Sequence, residues 1–419
     1  MQRAAQAPRA CPARELLSLG EMKALICGAG IAGLALAARL ARAGWQVTIV
    51  ESLPALHNEG YIVDLFGSGY EAAFRMGLLP DLRGMSYDFN AIRWVSASGR
   101  TGARLPYRTL IALFHGRLLS LLRGDLQRAV LGQLPTSVQL RFNCRVAQVR
   151  APVGAVELHL ASGDVERADV LIGADGIHSR IRDLVFGDGA SWFRFLGFHT
   201  AAVVIDAPDL NEELKNELHI VSVPGRQVAL YPLRDGQIAA TFVRRAAHSA
   251  PPRSASEALA EAFGDLGWRV PMVLERARAL PSLVYEQAGQ VVMAHWSRGR
   301  IALLGEACQA VSLLPGQGAS LSLAAAFVLG EELGNGLDVK AALARYEHQV
   351  RPPLIQMRRK GRRAADLLVP SSGTCLAARN AALRLASRPG LARLLRPVIE
   401  AARENVLPEA SAADAISSG

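Results

Sequence analysis

The sequence predicts an α/β fold: a parallel-sheet unit, interrupted by a separate antiparallel β-sheet and followed by a helical C-terminal region. Three observations carry that reading. Near the N-terminus an apolar strand runs into Gly28-Ala29-Gly30-Ile31-Ala32-Gly33, then a helix and a second strand. Across the middle of the chain, apolar residues alternate in short runs between turn residues. From Val339 onward the pattern is almost wholly helical.

The 419 residues suffice for two or three domains with a sizeable core, and half of them are hydrophobic, so disorder is not the default. Cys11, Cys27, Cys144, Cys308 and Cys375 stand far apart with no C-x-x-C. That spacing argues against zinc or a disulfide framework and fits a reducing cytoplasm. The histidines show no metal spacing, and His57, His178 and His295 read as surface or packed residues. No apolar run reaches membrane-spanning length. The net charge is +10, and residues 351–419 hold twelve Lys or Arg against five Asp or Glu. A basic tail can engage anionic lipid or nucleic acid. No zinc finger or aromatic-interleaved basic patch accompanies it, so it reads as a solvated helical face, and no nucleic-acid partner is expected.

Residues 1–21 lack the hydrophobic centre of a secretory signal and are expected to be a disordered extension, with Met22 the native start. Residues 22–189 then form the first part of the nucleotide-binding domain. Ala24 to Cys27 reads as a buried parallel strand, Leu34 to Ala43 as a helix closed by Gly44, and Gln46 to Val50 as a second strand ending at Glu51. This is the Rossmann-like pattern. Gly28 allows the tight turn, Gly30 lets a pyrophosphate approach the backbone, and Gly33 lets helix and strand pack closely. The helix start, with Ala29 and Ile31 in the loop before it, offers N–H groups to phosphates. Glu51 stands where a carboxylate would meet a ribose hydroxyl.

Further along, Gly60 to Gly69 leads into a helical stretch ending near Met76. Ile92 to Ala97, the turn Ser98-Gly99-Arg100 and a return strand read as a hairpin, and Arg123 opens an amphipathic helix reaching about Leu131. Strands are expected near 138–150 and 155–160, and Ala168 to Ile172 runs into Gly173-Ala174-Asp175-Gly176. Residues 190–300 read as the inserted antiparallel sheet, with Gln227 to Leu233 and Gln237 to Arg244 joined at Arg234-Asp235-Gly236 and helices near 255–265 and 270–278. Its polar candidates, Tyr231, His199 and Arg226, read as structural or exposed. Residues 301–340 return to the first domain through Ile301 to Leu304, Gly305-Glu306 and Gly316-Gln317-Gly318. Residues 341–419 form the helical region, with breaks at Pro352-Pro353, Pro370 and Pro389-Gly390.

Together the glycine loop, Asp175-Gly176-Ile177-His178-Ser179-Arg180-Ile181-Arg182 and Gly305-Glu306 followed by Gly316-Gln317-Gly318 resemble single-component FAD-dependent aromatic hydroxylases, the para-hydroxybenzoate hydroxylase type. Over Gly60 to Gly69 the pattern is most similar to the tetracycline-inactivating monooxygenases. The resemblance covers roughly residues 23–390. It implies a Rossmann-like FAD-binding domain with an inserted substrate sheet, NAD(P)H as electron donor, O2, and an aromatic or polyketide-like substrate. It also implies that Arg123, Asp175, Glu306, Gly316, Gln317 and Gly318 join the glycine loop and Glu51 around FAD. Glu306, Gln309 and Ser312 replace the family's usual Asp, His and Pro. Glu carries its carboxylate about 1.5 Å further than Asp on covalent geometry. Alternatives on the same fold are a flavin-dependent reductase or dehydrogenase and a non-catalytic FAD-binding protein.

Overall fold

The computed structural model describes residues 21–56, 61–187, 191–280, 283–311, 317–336, 338–388, 391 and 406–407, without the side chains of 360–364. The expected extension at 1–21, apart from Glu21, lies outside them, as do His57, Gly60, Ser312, Gly316 and the break at Pro389-Gly390.

Lys23–Cys27 forms the first strand because four successive apolar residues are buried on both faces, as a central parallel strand requires. It lies between Gln46–Val50 and Val170–Gly173. Gln139–Arg141 extends one side, and Ile301–Leu303 with Ser297–Arg298 extends the other. All neighbours in this six-stranded sheet are parallel except the edge strand Ser297–Arg298. Helix Ile31–Arg42 begins at the glycine loop, three residues before the expected start, because Gly30 itself is the N-cap. Helix Gln317–Gly334 covers the same core.

A second, seven-stranded sheet runs in the order Val284–Val291, Phe193–Asp206, Gln237–Arg245, Arg226–Pro232, Glu217–Val223, Ala91–Val95 and Thr101–Pro106. It therefore draws on two separate stretches of chain. Ala91–Val95 pairs parallel to Glu217–Val223, while every other neighbouring pair is antiparallel. Helices Ala255–Phe263 and Val270–Arg278 pack on one face through Phe263, Val270 and Val273. The other face looks toward the parallel sheet. Between the two lies a short ribbon the sequence did not announce, Ile62–Phe66 paired with Leu118–Leu122.

One expectation is overturned. Pro352 and Pro353 do not break the chain; helix Val339–Leu368 runs through both. Two N–H donors are lost there. Val350, Leu354 and Met357, all buried on one face, hold the helix against the core across the gap. The basic tail also turns partly inward: the Arg358 guanidinium is buried and donates to the Cys308 carbonyl, and Arg379 donates to the Leu368 carbonyl.

Candidate active site

The residues singled out in the sequence meet at the carboxyl ends of neighbouring parallel strands, where open α/β sheets bind ligands. Cys27 leads to the glycine loop, Val50 to Glu51, Gly173 to Asp175, and Leu303 to Glu306.

Each glycine of the loop has a distinct physical requirement. Gly28 has φ +108°, and a Cβ there would lie 2.3 Å from the Ala174 carbonyl oxygen. A Cβ on Gly33 would lie 2.0 Å from the Gly28 oxygen. Gly30 differs: a Cβ on it would meet nothing within 4 Å, because that face opens into space. The loop is held from both sides of one residue. Ala29 N–H donates to Glu51 Oε2 at 2.8 Å, and Gln127 Nε2 donates to the Ala29 oxygen at 2.8 Å. Glu51 Oε1 accepts from Leu53 N–H at 3.0 Å. Gln127 went unnoticed in the sequence, although it lies one helical turn after Arg123, where its side chain must share that residue's face.

Arg123 begins helix Arg123–Leu131, and its N–H donates to the Tyr61 oxygen. Asp175 is committed to its own turn: Oδ1 accepts from Ser179 Oγ at 2.5 Å and Oδ2 from Ile181 N–H at 3.0 Å. Burial pushes the Asp175 carboxyl up, opposed by those same hydrogen bonds. Arg182 ties the turn to the returning chain by donating to the Ala307 oxygen at 3.0 Å. Glu306 opens a short helix after Gly305, and its Oε1 reaches to 3.2 Å from where a Gly318 Cβ would stand. Gln309 does structural work: Oε1 accepts from Gly305 N–H, and Nε2 donates to the Tyr346 hydroxyl, which donates on to the Leu303 oxygen. Gln317 and Gly318 open the following helix.

A cavity of about 1040 Å³ joins these residues to the seven-stranded sheet. Gly28, Ala29, Gly30, Ile31, Glu51, Arg123, Asp175, Glu306 and Gly318 all line it. Its far wall is formed by the sheet, including Leu218, Ala229, Tyr231 and Thr241. Tyr231, read from the sequence as scaffold, thus faces the cavity, and His178 stands at its edge. His199 and Arg226 do belong to the scaffold. His199 bonds Tyr285 and the His248 carbonyl, and Arg226 is paired with Asp265. His295 is exposed beside Glu347.

A third group of lining residues had no role in the sequence reading: Asp64, Ser120 and Tyr107. Ser120 bonds both others. Burial raises the Asp64 carboxyl to about 6, with the Ser120 hydrogen bond pulling the other way. Asp64 is partly buried and lines the cavity. Its sequence signal is an acid in the middle of the apolar run Ile62-Val63-Asp64-Leu65-Phe66.

Among the described residues no cluster could hold a metal ion, and no helix is long and apolar enough to cross a membrane.

Comparison with known proteins agrees with this geometry. The FAD binding domain family matches residues 132–359, and an NAD(P)-binding Rossmann-like domain matches residues 26–57, around the glycine loop. A flavin-dependent monooxygenase from an unknown prokaryotic organism is 29% identical over 340 residues, covering 79% of this chain and 86% of that protein. The 3-hydroxybenzoate 6-hydroxylase 1 of Aquipseudomonas alcaligenes is 26% identical over 365 residues, covering 85% and 92%. The crystal structure of tetracycline destructase Tet(51) superposes with a TM-score of 0.77 at 25% identity, covering 93% of this chain and all of that one. The chain belongs to the FAD binding domain family, as an FAD-dependent monooxygenase of the aromatic hydroxylase type.

Proposed function

We propose that this monooxygenase uses NAD(P)H and O2 to hydroxylate an aromatic or polyketide-like small molecule. The supporting observation is the single cavity that runs from the glycine loop to the seven-stranded sheet. It is at the large end of small-molecule sites, which suits a dinucleotide and a second compound together. When bound, FAD supplies the redox and oxygen-transfer chemistry. The chain's own residues bind, orient and exclude water.

The cradle fits FAD. The vacant face of Gly30 admits a pyrophosphate to the backbone, and the first-turn N–H groups of helix Ile31–Arg42 point the same way. Glu51 holds the loop and is placed for the adenosine ribose. Arg123 stands toward the middle of the cofactor, and Glu306 toward the ribityl hydroxyls. Gln317 and Gly318 present a helix N-terminus to the flavin ring; Gly316, assigned the same role, lies outside the described residues. Asp175 holds its turn through both carboxylate oxygens and lines the cavity beside the glycine loop. The described cysteines are free, in keeping with a reducing cytoplasm. Residues 190–300 would act as the substrate domain, together with the hairpin of Ala91–Val95 and Thr101–Pro106 that completes its sheet.

Purified protein should be yellow, release FAD on denaturation, and oxidise NADH or NADPH with O2 uptake that a phenolic substrate accelerates. A colourless protein that takes up no FAD would overturn the reading, and fast substrate-independent oxidation would indicate a reductase.

Glu306 gives a sharper test. Its longer side chain folds toward the helix start at Gly318 and has one more bond to order than Asp. Titration of cofactor-free protein with FAD should show Glu306→Ala binding more weakly. Glu306→Asp should bind as well as the parent or better, by roughly 0–1.5 kcal/mol, one ordinary hydrogen bond. Equal affinity for all three would remove Glu306 from the cofactor site.

A further inference from the structure

Asp64 stands on the strand Ile62–Phe66, directly opposite Ser120 on Leu118–Leu122. Ser120 Oγ donates to Asp64 Oδ1, and the Tyr107 hydroxyl meets the same Ser120 oxygen. A serine has one hydroxyl proton, and an ionised carboxylate only accepts. The direction is therefore fixed: Tyr107 O–H donates to Ser120, and Ser120 O–H donates to Asp64. Ser120 and Tyr107 are both buried, so the relay cannot swing away. It engages one carboxylate oxygen. Asp64 Oδ2 has no hydrogen-bond partner among the described residues, and Asp64 lines the cavity.

The surroundings of that oxygen are aromatic and apolar. Phe89 meets Tyr107 edge-on at 5.6 Å between centroids and Tyr231 at 6.2 Å. Leu218 and Ala229 continue the wall. Charge is distributed one-sidedly. Among the described lining residues, the arginines are Arg123, at the helix start that directly follows strand Leu118–Leu122, and Arg180, at the Asp175 turn. The seven-stranded sheet contributes no lysine or arginine to the wall, and its one charged lining residue is Glu286.

We propose that Asp64, fixed by Ser120 and Tyr107, is a specificity-determining residue that selects a neutral ring compound donating a hydroxyl, a phenol or an enol, and rejects arene carboxylates. The proposal rests on the hydroxylase reading of this cavity and adds the substrate class. A phenol or enol gives Oδ2 the donor it lacks, in a charge-assisted bond. A methyl ether has no proton to give. An arene carboxylate brings a second negative charge to a wall whose sheet offers no cation, and like charges at short range in a poorly hydrated site repel strongly. Burial also makes the Asp64 carboxyl a better acceptor, raising it to about 6 while leaving it largely ionised at neutral pH.

The test is isothermal titration calorimetry at pH 7.5 on the protein as purified, with its flavin content read by absorbance in the same sample. Three probes share one ring system: 2-naphthol, 2-methoxynaphthalene and 6-hydroxy-2-naphthoate. The parent should bind 2-naphthol at least about tenfold more tightly than either other probe, the size of one charge-assisted hydrogen bond. In Asp64→Asn, the amide oxygen accepts the Ser120 proton and the NH2 faces the cavity. The advantage of 2-naphthol over its ether should fall below about threefold, and the carboxylate should gain affinity, at unchanged flavin content. Equal binding of naphthol and ether by the parent, tighter binding of the carboxylate, or selectivity retained in Asp64→Asn would each overturn the proposal. Should Asp64→Asn fail to fold, the ranking by the parent still decides. Calorimetry needs no flavin, so a colourless sample counts against the cofactor reading while the probe ranking judges Asp64 separately.

Discussion

Gly33→Ala is expected to lose roughly 3 kcal/mol or more of folding stability, at the upper end of what overpacking costs. Gly30→Ala, three residues earlier, should melt within about 0.5 °C of the parent, a shift worth well under 1 kcal/mol at this size. The difference lies in what each Cβ would meet. At Gly33 it would stand 2.0 Å from a backbone oxygen, that of Gly28, which has no rotamer to escape into. Gly28 is itself pinned, because its N–H donates to the Val50 oxygen. Strand, loop and helix would have to part. Gly30 has φ −73°, open to any residue, and clear space beside it. Its penalty should appear only with the cofactor, as a loss of about ten- to a hundredfold in FAD affinity from steric exclusion, about 1–3 kcal/mol. Thermal unfolding of cofactor-free protein and FAD titration separate the two. A Gly33→Ala protein that melts with the parent, or a Gly30→Ala protein that binds FAD unchanged, would refute the division of labour.

Asp64→Asn should stabilise the substrate-free protein at neutral pH and do nothing at low pH. An unfolded Asp titrates near 3.9, and the folded carboxyl sits at about 6. Between those values the folded chain keeps a proton that the unfolded chain has lost. Parent stability therefore falls as pH rises through the window from about 4 to 6, and the full penalty persists above it. Two pH units correspond to about 3 kcal/mol; water in the cavity screens part of it, leaving roughly 1–2 kcal/mol. The neighbouring Tyr107 and Tyr231 hydroxyls are pushed upward by burial and stay neutral across the window. Asp88, whose charge acts on Tyr107, is common to both proteins. Denaturant unfolding at pH 4 and pH 7.5 should show the Asn variant pulling ahead only at the higher pH. Parallel curves for the two proteins would mean that Asp64 pays no burial penalty.

Much of the nucleotide-binding half was legible because its signals are local. Strand, glycine loop, helix, strand and Glu51 fall within 29 consecutive residues, Lys23 to Glu51, and each constrains the next. The turn at Asp175 is equally local, since Ser179 and Ile181 bond back to it. Long-range features were not legible. Propensity places a break at Pro352-Pro353, but burial of Val350, Leu354 and Met357 outweighs it. The parallel pairing of Ala91–Val95 with Glu217–Val223 leaves no mark in either segment's alternation. Asp64 went unread: it is an acid within an apolar run, and its meaning depends on Ser120 and Tyr107, which only the fold brings beside it. Gln309 looked like a departure from the family pattern, and its bonds to Gly305 and Tyr346 account for it locally.

The mixed origin of the two sheets has a consequence for biogenesis. The strand after which the glycine loop is built is among the first segments to leave the ribosome, yet its neighbour-but-one, Ile301–Leu303, comes late. The hairpin at 91–106 likewise waits for Glu217–Val223 to cover the free edge of Ala91–Val95. Pairings this distant in sequence close slowly and leave strand edges exposed meanwhile. A ribosome-stalled chain ending before residue 301 should therefore retain no FAD, although its fingerprint loop is complete. Cofactor capture then becomes a report that synthesis has passed Glu306, and the nascent chain up to that point is the form most in need of chaperones.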